Sequence, residues 1–188
     1  MARLETERLV LRPFTARDAD NLVALDADPE VMHYINGGQP TPLDEIETDI
    51  LPAFLARQER TDGYGYWAAE DKATGRFLGW FHLRPAPDGR PDEPELGYRL
   101  KREAWGQGYA TEGSRALVDH AFGQLGAARV LAEAMAVNAA SRRVMEKSGL
   151  RFVRLFHADS PIRIPGDEHG DVEYELTRRE WLEGRPQA

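Results

Sequence analysis

Apolar and polar positions along the chain change period several times, and each change marks an element. Leu9-Val10-Leu11-Arg12 is a short apolar run that reads as a strand, stopped by Pro13. Thr15-Ala16-Arg17-Asp18 carries capping-box spacing, and the stripe Ala19, Leu22, Val23 and Leu25 behind it predicts a helix. A second helix is predicted from Thr41, with Pro42 at its first position, where the missing N–H costs nothing. Pro52 is expected to kink or split it, because it removes an internal hydrogen bond.

The middle of the chain turns to strand periodicity. Tyr64–Glu70 and Arg76–Arg84 read as strands joined by the turn Asp71–Gly75, and after the proline-rich loop Pro85–Pro94 comes a further strand, Glu95–Leu100. Ala110, Ser114, Leu117, Ala121 and Leu125 then fall on one side of a predicted helix from about Gly108 to Leu125. Arg129–Val137 is strand-like, and Asn138–Ser148 predicts a helix with Gly149 in the usual C′ place. Arg151–His157 and Val172–Leu176 read as closing strands around a loop from Pro161 to Gly170. The order β-α-α-β-β-β-α-β-α-β-β predicts a mixed α/β fold. No repeat, low-complexity tract or linker interrupts it, so residues 1–188 are read as one domain with its core at about 8–183.

Composition narrows the chemistry. Lys plus Arg number 24 against 32 Asp plus Glu, a formal charge of −8, which disfavours phosphate-backbone binding and suits cationic partners such as amines. Nucleic acid is therefore not expected as a partner. Apolar runs fall short of the ~18 residues of a membrane span, and Met1–Glu7 shows no secretory h-region, so no membrane association and a cytoplasmic location are expected. With no cysteine, disulfides, thiolate metal sites and a cysteine nucleophile are excluded. The five histidines never pair at metal-ligand spacing, so no metal is expected.

The segment richest in chemistry is Trp105-Gly106-Gln107-Gly108-Tyr109-Ala110-Thr111-Glu112, between a strand and a helix. Glycines there let the backbone turn tightly and approach a ligand, and the helix start adds unpaired N–H donors and a positive dipole end. That suits a pyrophosphate. No Gly-Lys-Ser/Thr follows, and Gly113 stands at the wrong spacing for a dinucleotide fingerprint, so neither common nucleotide loop is present. By itself the segment is equally a plain glycine-rich start to a helix.

Together with Asn138-Ala139-Ala140-Ser141-Arg142-Arg143-Val144-Met145-Glu146-Lys147-Ser148-Gly149-Leu150, this segment resembles the GNAT N-acetyltransferase superfamily. The likeness is to the branch that includes the ribosomal-protein N-terminal acetyltransferases of the RimJ/RimL type, and Leu9–Pro13, Glu95–Leu100 and Tyr174–Thr177 fit that branch too. The resemblance implies a single-domain α/β fold with a mixed, mostly antiparallel sheet splayed in the middle and flanked by helices. It implies acetyl-CoA as donor and a primary amine as acceptor, in direct transfer between two substrates bound together. The implied acceptor is an α-amine of a protein or peptide N-terminus; a small diffusible amine (an aminoglycoside, polyamine or amino acid) and a non-catalytic acyl-CoA-binding module are the alternatives. The assembly is read as monomer or homodimer.

Carried over by position, Trp105, Gly106, Gln107, Gly108, Tyr109, Ala110 and Thr111 would hold the pyrophosphate, and backbone at Tyr98 and Leu100 would pair with the pantetheine amides like an added strand. Asn138 resembles the residue whose amide holds the pantetheine, and Ser141 lies one helical turn on; Asn138 equally suits a helix cap. Two positions depart from the family pattern. Trp105 brings no charge where many relatives have Arg or Gln, which leaves phosphate neutralisation to N–H groups and to Lys101 or Arg102. Met145 stands where many members have a tyrosine that protonates the leaving thiolate, so either Ser141 or a bound water substitutes or the thiolate leaves unprotonated. Glu95 matches the family's carboxylate and is the first candidate for general base, with a solvated strand glutamate paired to arginine as the bland alternative. His82 is the second candidate. His33 and Tyr34, between the first two predicted helices, fall where the family builds its acceptor pocket, and Trp67 and Trp80 are expected in the core.

Overall fold

The computed structural model describes residues 1–60, 62–85, 89–158 and 163–184. Ala86, Pro87 and Asp88 of the proline-rich loop and Pro161 of the closing loop lie outside them. One eight-stranded sheet runs through the molecule in the order β1-β2-β3-β4-β5-β6-β8-β7. Its strands are β1 (Leu4–Glu5), β2 (Leu9–Pro13), β3 (Gly65–Asp71), β4 (Phe77–Pro85), β5 (Pro94–Leu100), β6 (Arg129–Met135), β7 (Arg151–Phe156) and β8 (Asp171–Thr177). Every neighbour pair is antiparallel except β5 with β6. This is the mixed, mostly antiparallel α/β architecture expected.

Alternation along the strands sends two sets of side chains to opposite faces. On one face Leu9, Leu11, Trp67, Phe81, Leu83, Leu96, Val130, Ala132 and Tyr174 pack with Leu117, Val118, Ala121 and Phe122 of α5 (Tyr109–Gly123) and Met145 of α6 (Ala139–Lys147). On the other face Ala68 and Trp80 pack with Phe14 and with Leu22, Leu25, Val31, Ile46, Leu51 and Phe54 from the N-terminal helices. These are α1 (Ala19–Asp26), α2 (Pro29–Asn36), α3 (Leu43–Glu45) and α4 (Leu51–Gln58). Trp67 and Trp80 are core residues, as expected.

The first turn follows its sequence signal: Thr15 caps Ala16–Asp18 in a capping box. Elsewhere two expectations need correction. Pro29–Asn36 is a helix of its own, capped by the Asp28 carboxylate, so His33 and Tyr34 lie on α2 and not between helices. Pro42 is the N-cap of α3 and not its first residue. Pro52 stands at a split, as expected: the chain widens into a π turn over Ile46–Ile50 and places the proline in the first turn of α4, where no N–H is required of it. Beyond the predicted elements, β1 pairs with β2, and α7 (Arg178–Glu183) follows a Thr177–Glu180 capping box.

The parallel pair β5–β6 is joined at a single register position, Glu95↔Leu131, beyond which the two strands diverge. From Gly97 to Leu100 the β6-facing edge of β5 has no strand partner. The cleft so formed opens between the end of β5 and the start of α6.

Candidate active site

Three sets of residues border this cleft, and a fourth is expected at its entrance. The first is the turn between β5 and α5. Gly106 and Gly108 take left-handed backbone, φ +71° and +86°, and Gly108 is the N-cap of α5 with no side-chain cap on the N–H groups that follow. Segment 105–108 is exposed and Tyr109, Ala110 and Thr111 are half-buried, so the turn presents unpaired donors at a dipole end. Trp105 donates its indole N–H to the Leu100 carbonyl (2.8 Å), and the Gln107 amide donates to the Glu103 carbonyl (2.5 Å). Both side chains fix the turn.

The cation at this turn is not the one expected. Arg102 pairs with Asp28 (3.2 Å) and Lys101 lies over the Phe77 ring, so both turn toward α2 and β4. Arg8, the residue before β2, stands at the turn instead. Its Nη1 donates to the Gln107 carbonyl (2.9 Å), its Nε and Nη2 reach Glu112 Oε2 (both 2.7 Å), and its guanidinium lies 4.5 Å from the Tyr109 ring centre. The Arg8 N–H (2.8 Å) and the Thr6 hydroxyl (2.5 Å) both donate to Glu112 Oε1. Burial works against the Glu112 charge, but these donors offset it and hold the carboxyl below its usual value. Sequence spacing could not show this, because Arg8 and Glu112 are far apart in the chain. Arg8→Ala is expected to weaken acetyl-CoA binding about ten-fold, one charge-assisted contact's worth, with Arg8→Lys recovering part. Equal dissociation constants for wild type and Arg8→Ala by calorimetry would return Arg8 to the surface.

The second set is the start of α6. Asn138 is its N-cap, accepting the Ser141 N–H at 3.1 Å. Across the cleft, the Tyr98 phenol oxygen lies 2.9 Å from Ser141 Oγ and 3.1 Å from the Ser141 carbonyl oxygen. Met145, one turn further on, is 2 % exposed and points into the core.

The third set lies on the opposite face of β4 and β5. Glu95, Gly97 and Arg99 share that face, and register places His82 beside Gly97. A Cβ at position 97 would sit 2.6 Å from the ring, so the imidazole lies directly over the glycine and only glycine admits it. Both His82 ring nitrogens are buried without a hydrogen-bond partner, and Nε2 stands 3.7 Å from Glu95 Oε1. Burial pushes the His82 pKa down, so the ring is neutral near pH 7. Burial works to raise the Glu95 pKa, but the adjacent His82 ring and Arg84 outweigh it and hold the carboxylate charged. Glu133, opposite on β6, is pushed up by loss of solvent and by the like charges of Glu95 and Glu173. Glu95 and His82, two candidates in the sequence, are thus one pair: a neutral imidazole with a carboxylate beside it.

The fourth set belongs to the entrance. The C-cap of α2, Gly37, packs under Ile164 of the closing loop. His33 is exposed and meets Tyr34 edge-on at 4.6 Å. No hydrogen bond, ion pair or ring contact among the described residues joins either to His82 or Glu95.

Known proteins match this chain in sequence and in fold. Residues 8–151 match the acetyltransferase (GNAT) domain. The chain belongs to the GNAT acetyltransferase family. An Aspergillus fumigatus protein named FsC-acetyl coenzyme A-N(2)-transacetylase is 39 % identical over 185 residues, 95 % of this chain and 77 % of its own. YoaA of Bacillus subtilis, named as an uncharacterized N-acetyltransferase, is 31 % identical over 79 % of this chain and 82 % of its own. A GNAT-family acetyltransferase crystal structure from Bacillus anthracis superposes with a TM-score of 0.79, covering 95 % of this chain and 99 % of its own at 19 % identity. The protein is a GNAT N-acetyltransferase, an enzyme class whose acyl donor is acetyl-CoA. The donor suits the site: exposed N–H groups and left-handed glycines for a pyrophosphate, and an unpaired strand edge for an extended arm with amides. Among the described residues no helix is long and apolar enough to cross a membrane.

Proposed function

We propose that this GNAT enzyme transfers the acetyl group of acetyl-CoA to the α-amine of a small diffusible molecule, with His82 as general base and Glu95 as the carboxylate that steadies its charged form. The pyrophosphate lies on the turn 105–111 beside Arg8, the pantetheine arm follows the free edge of β5 past Tyr98 and Leu100 to Asn138, and the acceptor enters past His33 and Tyr34. Glu95 pairs with Arg84 and Glu173 with Arg154, which leaves Glu133, without an ion pair among the described residues, as the carboxylate that draws a cationic amine toward the cleft.

The state of His82 is the observation that carries the reading. An amine attacks a thioester only when it has lost its proton, and here the proton's destination is an imidazole whose pKa burial pushes down. Moving a proton to it runs uphill from either kind of ammonium, but from a lysine side chain of pKa ~10.4 it costs ~2.6 pH units, about 3.5 kcal/mol, more than from an α-ammonium near ~7.8. A depressed histidine therefore suits an α-amine. The relative that is 39 % identical over 95 % of the chain is named for acetyl transfer to an N(2) nitrogen and favours such an acceptor over a ribosomal protein, whose likenesses are a 36 % match over 46 % of the chain and a 19 % identical structure covering 94 % of it.

The test is release of CoA thiol with two probes, glycinamide and a short peptide with a free α-amine, in wild type, His82→Gln and Glu95→Gln. The proposal predicts a faster reaction with glycinamide and a loss of about a hundred-fold in kcat for His82→Gln, the usual scale for a general base. Glu95→Gln should cost less, since it removes support for the base and not the base. The acid limb of the kcat profile follows from the sign of the shift: His82 works when neutral, so activity persists below pH ~6.5 and falls only as pH drops through the depressed pKa. Preference for the peptide would move the acceptor to a protein N-terminus, and an unmoved acid limb in His82→Gln would remove His82 as the base.

A further inference from the structure

A GNAT reaction ends with a thiolate to be stabilised, and the position where relatives carry a tyrosine for this task is Met145, buried in the core. A tyrosine nonetheless reaches the cleft from the other side. Tyr98 leaves β5 three positions after Glu95, the last residue in register with β6, and its hydroxyl spans the gap to the first turn of α6. Its phenol oxygen is 2.9 Å from Ser141 Oγ and 3.1 Å from the Ser141 carbonyl oxygen, so its single proton has two acceptors, of which Oγ is the nearer, and the Ser141 backbone is fixed by the Asn138 cap.

Resting on the proposed placement of the thioester in this cleft, we infer that Tyr98 is a positioning residue: its hydroxyl donates to Ser141 Oγ and turns the serine proton toward the departing sulfur of CoA. A hydroxyl that accepts from Tyr98 has its own proton free for another acceptor. As the tetrahedral intermediate collapses, the C–S bond breaks, its electron pair goes to sulfur, and the carbonyl reforms. The proton lost by the amine goes to His82. The thiolate keeps its charge, held by the Ser141 O–H and by the positive end of α6, and takes a proton from water after it leaves. Tyr98 does not give up its proton. Burial pushes its pKa up to about 12, well above a thiol's ~8.5, so transfer to the thiolate would run uphill and the phenol acts only as a donor.

The experiment reads the bound product, apart from turnover. CoA is bound to wild type, Tyr98→Phe and Ser141→Ala, binding is confirmed by calorimetry, and the thiol is titrated by its thiolate absorbance. Wild type is expected to lower the thiol pKa by about one pH unit, a ten-fold gain in ionisation, relative to free CoA. Ser141→Ala should remove most of that shift and Tyr98→Phe about half of it. With acetyl-CoA and the better amine probe, Tyr98→Phe should lower kcat about ten-fold while KM for acetyl-CoA stays within about two-fold, whereas a merely structural tyrosine would move KM or stability instead. Tyr98→Phe keeps the ring and its packing, and Ser141→Ala tests the same bond from its other end should the first variant fold poorly. A bound thiol that titrates alike in wild type and both variants overturns the inference and leaves the cleft reading standing. Failure of wild type to bind CoA overturns both.

Discussion

Gly108→Asp is expected to abolish acetyl-CoA binding while the far-UV circular dichroism stays that of the wild type. Gly108 has φ +86° at the N-cap of α5, a backbone shape that costs a residue with a Cβ about 1–2 kcal/mol. Aspartate would relieve that strain by leaving the left-handed region, which swings the N–H groups of 108 and 109 off the phosphates. A hydrogen bond to a charged group is worth about 1.5–3 kcal/mol, so losing both donors amounts to about 4 kcal/mol, close to a thousand-fold in affinity. The new carboxylate adds repulsion and competes for Arg8, whose Nη2 lies 3.3 Å from where the Cβ would be. The site is open and exposed, so the fold should tolerate the change. Calorimetry showing unaltered affinity in folded Gly108→Asp would dispose of the phosphate-binding assignment.

Asp26→Ala should be the most damaging single substitution for stability among those considered. Asp26 ends α1 at 3 % exposure, and both its oxygens take Arg99 Nη1, at 2.7 and 2.8 Å. The Thr41 hydroxyl adds a third bond at 2.8 Å. Arg99 comes from β5 and lies over the Trp80 ring, so this one carboxylate ties the N-terminal helices and the chain leading to α3 onto the strand that bounds the cleft. Its removal leaves a buried guanidinium without a counter-charge, which costs about 3–5 kcal/mol. For a chain of this size that lowers the melting temperature by about 10 °C. Asp26→Asn keeps an acceptor for Arg99 and should lose roughly half as much. A drop of under about 2 °C for Asp26→Ala would show that the pair contributes little.

The sequence alone determined the elements whose signals are local. Capping spacing at Thr15, the 3.6-residue stripe of α5, Asn138 before α6, and the glycines around Gln107 each act within a few residues, where propensity and backbone geometry decide the outcome. The motif series from Leu9 to Thr177 likewise carried the family. What it could not give were features made by chain segments that meet only after folding. Asp28-Pro29 starts a helix that a stretch of mixed polarity did not announce, and the π turn before Pro52 arises where α4 settles on the sheet. The strand order β6-β8-β7, the parting of β5 from β6 after Glu95, and the Arg8–Glu112 pair depend on long-range register. So does the chemistry of the site. His82 and Glu95 were separate candidates in the sequence and become one pair because register lays His82 over Gly97, where burial withholds its proton. Tyr98 counted only for its backbone until folding carried its hydroxyl across the cleft to Ser141. Local rules set which residue types stand on which face; the distance between faces, and so which groups share a proton or a charge, exists only once the sheet has closed.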